Sequence, residues 1–241
     1  MRLYLASTSD SKWDWNVSNI LYALESFYYF KPWQSEYIHK WKGFLLDSGA
    51  FTFMSTTAVV DWDDYLSRYI AFINFHNIKY FFELDIDSIV GYEKVKKLRE
   101  RLEYETGKQC IPVWHKSRGL EEYISLCEQY RYIAIGGLVT KEIPKKQYNY
   151  LKKLTALAEY YGTKVHGLGF TNMRAYDYGF YSVDSTNWKS GRRFGQIHRF
   201  ENGTIKIYYP PKGKRVGSYR EVDTHNLAEW IKYQKYLDER K

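Results

Sequence analysis

The chain has 241 residues, 44% hydrophobic and 27% charged, which suffices for one large globular domain with a substantial core. No apolar run approaches the roughly 18 residues that span a bilayer, and the N-terminus turns polar too soon for a secretory leader. With Cys110 and Cys127 as the only cysteines, neither a disulfide framework nor a cysteine-rich zinc site fits, so a reducing cytoplasm, no metal and no cofactor are expected.

Taken in chain order, residues 2–7 alternate like a strand and break at Ser7-Thr8-Ser9-Asp10. Ser18-Asn19 opens an apolar and aromatic stretch to Phe30, predicted as a helix stopped by Pro32. Residues 43–47 form a short apolar strand that runs into Asp47-Ser48-Gly49. Residues 61–76 start acidic and place Tyr65, Leu66, Tyr69, Ile70 and Ile73 at helical spacing. A strand over 80–86 and a charged helix over 92–105, closed by Gly107, come next. Strands are predicted at 110–115, 132–135, 164–168 and 180–183, and helices at 119–130, 144–161 and 172–178. From 189 to 217 the chain is basic and punctuated by Gly and Pro, with a hairpin around Glu201-Asn202-Gly203; residues 223–240 return to helix.

Strands alternating with helices at this spacing imply βαβ units and a parallel sheet. Seven strand candidates, with no GxGxxG after the first, predict an α/β fold of the (β/α)₈ TIM-like barrel type. One domain over 1–241 is expected, its segment 189–241 forming a basic hairpin and helix. The eighth strand is assigned either to 205–209 or to a short piece near Trp188.

In such a barrel the strand C-termini form the active face. The residues there are polar: Asp47, Asp85 with Asp87, His115, Gly136-Gly137, Gly167 with Gly169, and Asp184. Carboxylates closing apolar strands are costly unless paired or used, and two separated carboxylates suit acid/base and nucleophilic work at a sugar carbon. The net charge of +8 and a 19% share of aromatics favour a polyanion with stackable bases.

On these residues the chain resembles the tRNA-guanine transglycosylases. Asp47-Ser48-Gly49-Ala50-Phe51 is similar to their Asp-Ser-Gly-Gly-Phe motif, Leu84-Asp85 to their Leu-Asp-Glu segment, and Ile135-Gly136-Gly137-Leu138 to their Gly-Gly-Leu loop. Val165-His166-Gly167-Leu168-Gly169 resembles the strand before the nucleophile, and Val183-Asp184 falls at the nucleophile's position. The chain departs from the tRNA enzymes in lacking their Cys-x-Cys-x-x-Cys…His zinc subdomain, and Trp114 or His115 stands where they carry a base-reading glutamine. A compact, zinc-free chain resembles the branch that inserts 7-deazaguanine bases into DNA in phages and bacteria.

The resemblance implies Asp184 as nucleophile and Asp47 as general acid/base. It implies a base pocket built from Asp85, Ser48, Gly49, His115, Trp114, Gly136, Gly137, Leu138 and Gly167. Lys189, Arg192, Arg193, Arg199, Lys212, Lys214 and Arg215 are the expected nucleic-acid contacts, their charge run standing directly after Asp184. The expected partners are DNA or tRNA and a 7-deazaguanine base, with no membrane, and a homodimer by analogy with the tRNA enzymes. Competing readings are a tRNA-acting member of the superfamily, and a barrel glycoside hydrolase or a non-catalytic nucleic-acid-binding barrel.

Overall fold

The computed structural model describes residues 1–7, 21–55, 59–170, 175–211 and 217–240, with the backbone alone at 54, 55, 192 and 193. Seven strands form its main sheet: β1 (Arg2–Ala6), β2 (Tyr22–Ser26), β3 (Gly43–Asp47), β4 (Val113–Trp114), β5 (Tyr132–Ile135), β6 (Lys164–Gly167) and β7 (Ser182–Ser185). Their spatial order is β3-β2-β1-β7-β6-β5-β4, and every pairing is parallel. All strand C-termini therefore lie along one rim. Helices α1 (Trp62–Phe75), α2 (Asp87–Val90), α3 (Tyr92–Thr106), α4 (Gly119–Gln129), α5 (Tyr148–Tyr160), α6 (Ser190–Phe194) and α7 (Tyr219–Glu239) intervene or follow. The start of α1 is set by Asp61, whose Oδ1 accepts the N–H groups of Asp63 and Asp64 at 3.0 Å.

Buried side chains separate into two clusters. The larger fills the space between strands and helices, with Leu46, Trp114, Ile133 and Ile135 against Tyr69, Leu98 and Leu151. The smaller, including Tyr4, Tyr22, Leu24, Leu45, Phe82, Val113, Tyr132 and Ala134, collects alternate residues of successive strands on the opposite face. A parallel sheet that packs its own side chains together on one face is curled, so the architecture is compatible with a TIM-like fold. No described helix is long and apolar enough to cross a membrane.

Two expectations about the elements are corrected. The stretch 18–30 is not a helix in its described part: Tyr22–Ser26 is β2, inserted between β1 and β3 with Leu5 opposite Ala23 and Leu24 opposite Leu45. A short apolar run reads equally as buried strand or buried helix, and only its pairing partners decide. Gln234 of α7 completes that junction, its Nε2 donating to Leu3 O (2.6 Å) and Tyr22 O (3.0 Å) while its Oε1 accepts from Tyr22 N (3.1 Å).

The second correction concerns closure, since the ladders do not make a closed eight-stranded barrel. Residues 205–209 fall largely in β9 (Thr204–Tyr208), which pairs antiparallel with β8 (Ile197–Glu201), and Trp188 lies in a single 3₁₀ turn. Between the edge strands β3 and β4, the expected strand over 80–86 makes only the single bridges Leu46↔Phe81 and Phe82↔Ile111. The pairing stops where the Glu83 side chain takes the Val113 N–H at 2.7 Å, the donor that a backbone carbonyl would otherwise hold. Glu83 is fully buried, with Arg99 Nη1 at 3.3 Å; burial pushes its carboxyl up to about 7 against the opposing pull of Arg99 and Arg118.

The hairpin expected at 201–203 is present. Asn202 and Gly203 both take positive φ (52° and 77°), as a two-residue turn matched to strand twist requires.

Candidate functional site

At the end of β3, Asp47 turns the chain with its own carboxylate: Oδ2 accepts the Gly49 N–H at 3.0 Å. Gly49 sits at φ 80°, and a Cβ there would lie 2.6 Å from Tyr28 Cβ, so glycine is required for two independent reasons. Ser48 is buried, and its backbone carbonyl accepts from Tyr65 Oη at 2.5 Å, which ties the turn to α1. Burial raises the Asp47 carboxyl to about 6, with the charges of Asp184 and Asp85 adding to the rise and the Gly49 and Ser48 N–H groups opposing it. The three carboxylates thus share one electrostatic environment. Asp47 ends β3 and Asp184 lies on β7, strands far apart in sequence, while Asp85 follows the single bridges at Phe81 and Phe82; the parallel order sets all three along one rim.

Asp85 is held by His115, whose Nε2 lies 2.9 and 3.0 Å from its two oxygens. The other ring nitrogen, Nδ1, lies 3.0 Å from Glu142 Oε2. Burial opposes protonation of His115, but Asp85 and Glu142 outweigh it and raise the imidazole to about 9. His115 is therefore an imidazolium at neutral pH, donating to both carboxylates. Both ring N–H groups are thereby taken, so His115, expected in the base pocket, orients Asp85. Because its pKa is raised, the stability it contributes is complete below about 6.5 and is lost as pH rises through about 9.

The two glycines after β5 make room for this arrangement. A Cβ on Gly136 would lie 2.6 Å from His115 Cε1 and 2.8 Å from Nε2, and one on Gly137, at φ 73°, would lie 2.5 Å from Glu142 Oε2. Gly136→Ala is expected to push the ring away from Asp85, costing about 1–3 kcal/mol of stability and lowering the His115 titration midpoint. Thermal unfolding and histidine NMR titration would check both; an unchanged midpoint would show that the ring tolerates the methyl group.

Asp184 lies on β7, 8% exposed. Its Oδ1 accepts the Gly169 N–H at 2.6 Å and lies 3.2 Å from His166 Nε2. His166, on β6, is fully buried and lies within the Val-His-Gly-Leu-Gly stretch. A polar residue in phase with the inward-facing positions of a buried strand was the available signal. Glu142 and Arg118 gave none, because each lies outside any motif. Arg118 Nε and Nη2 reach Asp87 Oδ2 at 3.1 and 2.8 Å, and its guanidinium stacks 4.1 Å from the Tyr92 ring centroid.

Other expected base contacts fare differently. Trp114 is corrected: it is fully buried on the helix side of β4, edge-on to Tyr123, with Nε1 donating to Gly119 O at 2.8 Å. It has no face left for a base. The Leu138 side chain is likewise in the core, and Gly167 is packed closely by Phe170 and Phe180. Of the basic tract, Lys189 is half-buried beside Trp188 and Arg199 is exposed on β8 over Tyr208. The Arg192 and Arg193 side chains, and Lys212, Lys214 and Arg215 altogether, lie outside the described residues.

Asp85, Asp87 and His115 offer ligand atoms within 4.8 Å of one another, the one described group that could hold a cation. Its charges are already met by His115 and Arg118, which argues for an ion-pair network. A second arrangement, Ser190 Oγ 3.0 Å from His198 Nε2, has the composition of a nucleophile and base. His198 Nδ1, however, accepts the Trp230 indole N–H at 2.7 Å, so Nε2 must carry the proton and cannot take one from Ser190. Burial, with His225 nearby, pushes this ring down to about 4, and it serves to dock β8 on α7.

No protein-family model matches the chain, and no curated protein is significantly similar to it.

Proposed function

We propose that the protein exchanges guanine in DNA for a 7-deazaguanine base through a covalent aspartyl–sugar intermediate. The observation that carries this reading is the electrostatic coupling of Asp47 with Asp184 and Asp85 at the strand-end rim, with Asp47 titrating near 6. Such a group can both release and accept a proton near neutral pH, as the two halves of an exchange demand. Asp184 would attack C1′ as the N9–C1′ bond breaks, and Asp47 would protonate the departing guanine. The incoming base would then return its proton to Asp47, attack C1′ and release the Asp184 carboxylate.

Asp85, fixed by His115, is the proposed acceptor for the guanine N1 and N2 hydrogens. The exposed rings of Tyr28, Tyr29 and Phe51 flank the Asp47 turn and offer stacking faces for neighbouring bases. Lys189, Arg199 and the rest of the basic tract would meet phosphates. Since C1′ and the Watson–Crick edge cannot both be presented within a duplex, the target is flipped or single-stranded. The Phe81–Phe82 segment bridges β3 and the residues before β4, and this reading takes the carboxylate-bearing rim of the curled sheet as its catalytic face, as in TIM-like folds.

Incubation with labelled guanine and either DNA or tRNA tests the proposal. Label is expected in DNA. Label entering only tRNA would move the assignment to the tRNA-acting enzymes, and label entering neither would leave a glycoside hydrolase or a non-catalytic binding barrel.

A further inference from the structure

The interior of the curled sheet holds a buried chain of polar atoms: Tyr132 Oη lies 2.5 Å from Ser182 Oγ, which lies 2.6 Å from His166 Nδ1. His166 Nε2 then lies 3.2 Å from Asp184 Oδ1. The direction of donation along this chain follows from satisfying each group. Among the described residues the Tyr132 hydroxyl meets no acceptor except Ser182 Oγ, and a buried phenol that donates to nothing is costly. Tyr132 therefore donates to Ser182. A serine hydroxyl has one proton, and among the described residues Ser182 Oγ meets no acceptor except His166 Nδ1, so it directs that proton there. That nitrogen is then an acceptor, and the imidazole proton is confined to Nε2, where it faces the Asp184 carboxylate. The ring is pinned by Tyr4 and Phe82, at centroid distances of 6.2 and 5.2 Å.

We infer that His166 is a positioning residue for Asp184, locked as the neutral Nε2–H tautomer by a one-way hydrogen-bond chain from Tyr132 through Ser182. With the Gly169 N–H, it places two donors on Oδ1, which leaves Oδ2 as the oxygen without a donor among the described residues. The link to catalysis rests on the reading of Asp184 as the nucleophile; the tautomer does not.

Two measurements test this. Nitrogen NMR of the imidazoles in the intact protein, with the His166 signal assigned by through-bond correlation to its own backbone amide, should show a neutral ring protonated at Nε2. A proton on Nδ1, or on both nitrogens, overturns the inference, and this readout stands even if a variant fails to fold. In the exchange reaction, His166→Asn should slow adduct formation about 10- to 100-fold, the worth of a hydrogen bond to a charged group. His166→Gln, whose amide nitrogen reaches the position of Nε2, should restore most of that rate. Equal losses in the two folded variants overturn the positioning role. If the wild-type protein labels neither DNA nor tRNA, the transglycosylase reading fails by itself, and the NMR still decides the tautomer.

Discussion

On the proposed mechanism, Asp184→Asn is expected to abolish the covalent protein–DNA adduct and to lower exchange by about 10⁴-fold or more, the scale on which loss of a nucleophile is felt. The substitution suits the test because an asparagine Oδ1 still accepts from the Gly169 N–H and from His166 Nε2, which lie 2.6 and 3.2 Å from Asp184 Oδ1. The fold should persist, with a melting temperature near that of the wild type. Loss of the adduct then reports the missing nucleophile. The check is denaturing electrophoresis of protein mixed with a guanine-containing oligonucleotide. An adduct that survives Asp184→Asn would refute the assignment.

Asp47→Asn is expected to change activity and stability in opposite directions. If Asp47 is the proposed general acid/base, its loss lowers turnover about 10²- to 10⁴-fold, while adduct formation through Asp184 should persist slowly. In the wild type, adduct formation needs Asp47 protonated and should decline as pH rises through about 6; adduct discharge by the incoming base needs it ionised and should decline below that value. For stability the sign follows from a folded-state pKa raised above the ordinary carboxylate value. The contribution of Asp47 to folding is complete below about 4 and is lost as pH rises through about 6. An asparagine escapes this loss and still accepts the Gly49 N–H, so the variant should melt a few degrees higher than the wild type at pH 8 and no higher at pH 3.5, ~1 kcal/mol being worth ~2–4 °C in a chain of this size. A lower melting temperature at pH 8 would mean that Asp47 is not destabilised by its neighbours.

Stability sacrificed at one residue is common where chemistry is done, because the same desolvation and like-charge repulsion that weaken folding set the proton affinity. Asp47 shows this at the rim, and Glu83, raised to about 7, shows it in the interior. Glu83 nevertheless has a structural reason to exist: it holds the Val113 N–H and pairs with Arg99 where the regular ladder stops.

Much of this protein is legible in its sequence because the signals are local. Helix α1 announces itself by an aspartate cap and a periodic apolar face, the 202–203 turn by Asn-Gly, and β3 by an apolar run that ends in Asp-Ser-Gly. Each depends on residues within a few positions of one another. Asp47, Asp85 and Asp184 could be selected because buried strands do not end in carboxylates without a reason.

What only the tertiary structure decided is whatever rests on distant pairing. Tyr22–Ser26 is a strand because β1 and β3 flank it, and Gln234, 212 residues away, bonds both the N–H and the C=O of Tyr22. Asp85 meets His115 across 30 residues, and His115 meets Glu142 across 27, which turned an expected base contact into an imidazolium clamp. Trp114 faces the helices and not the pocket because alternate residues of a strand point to opposite sides. The sequence by itself determined which carboxylates stand at the strand ends. Their proton affinities, and the partners that orient them, belong to the fold, because burial and charge act through space and take no account of position in the chain.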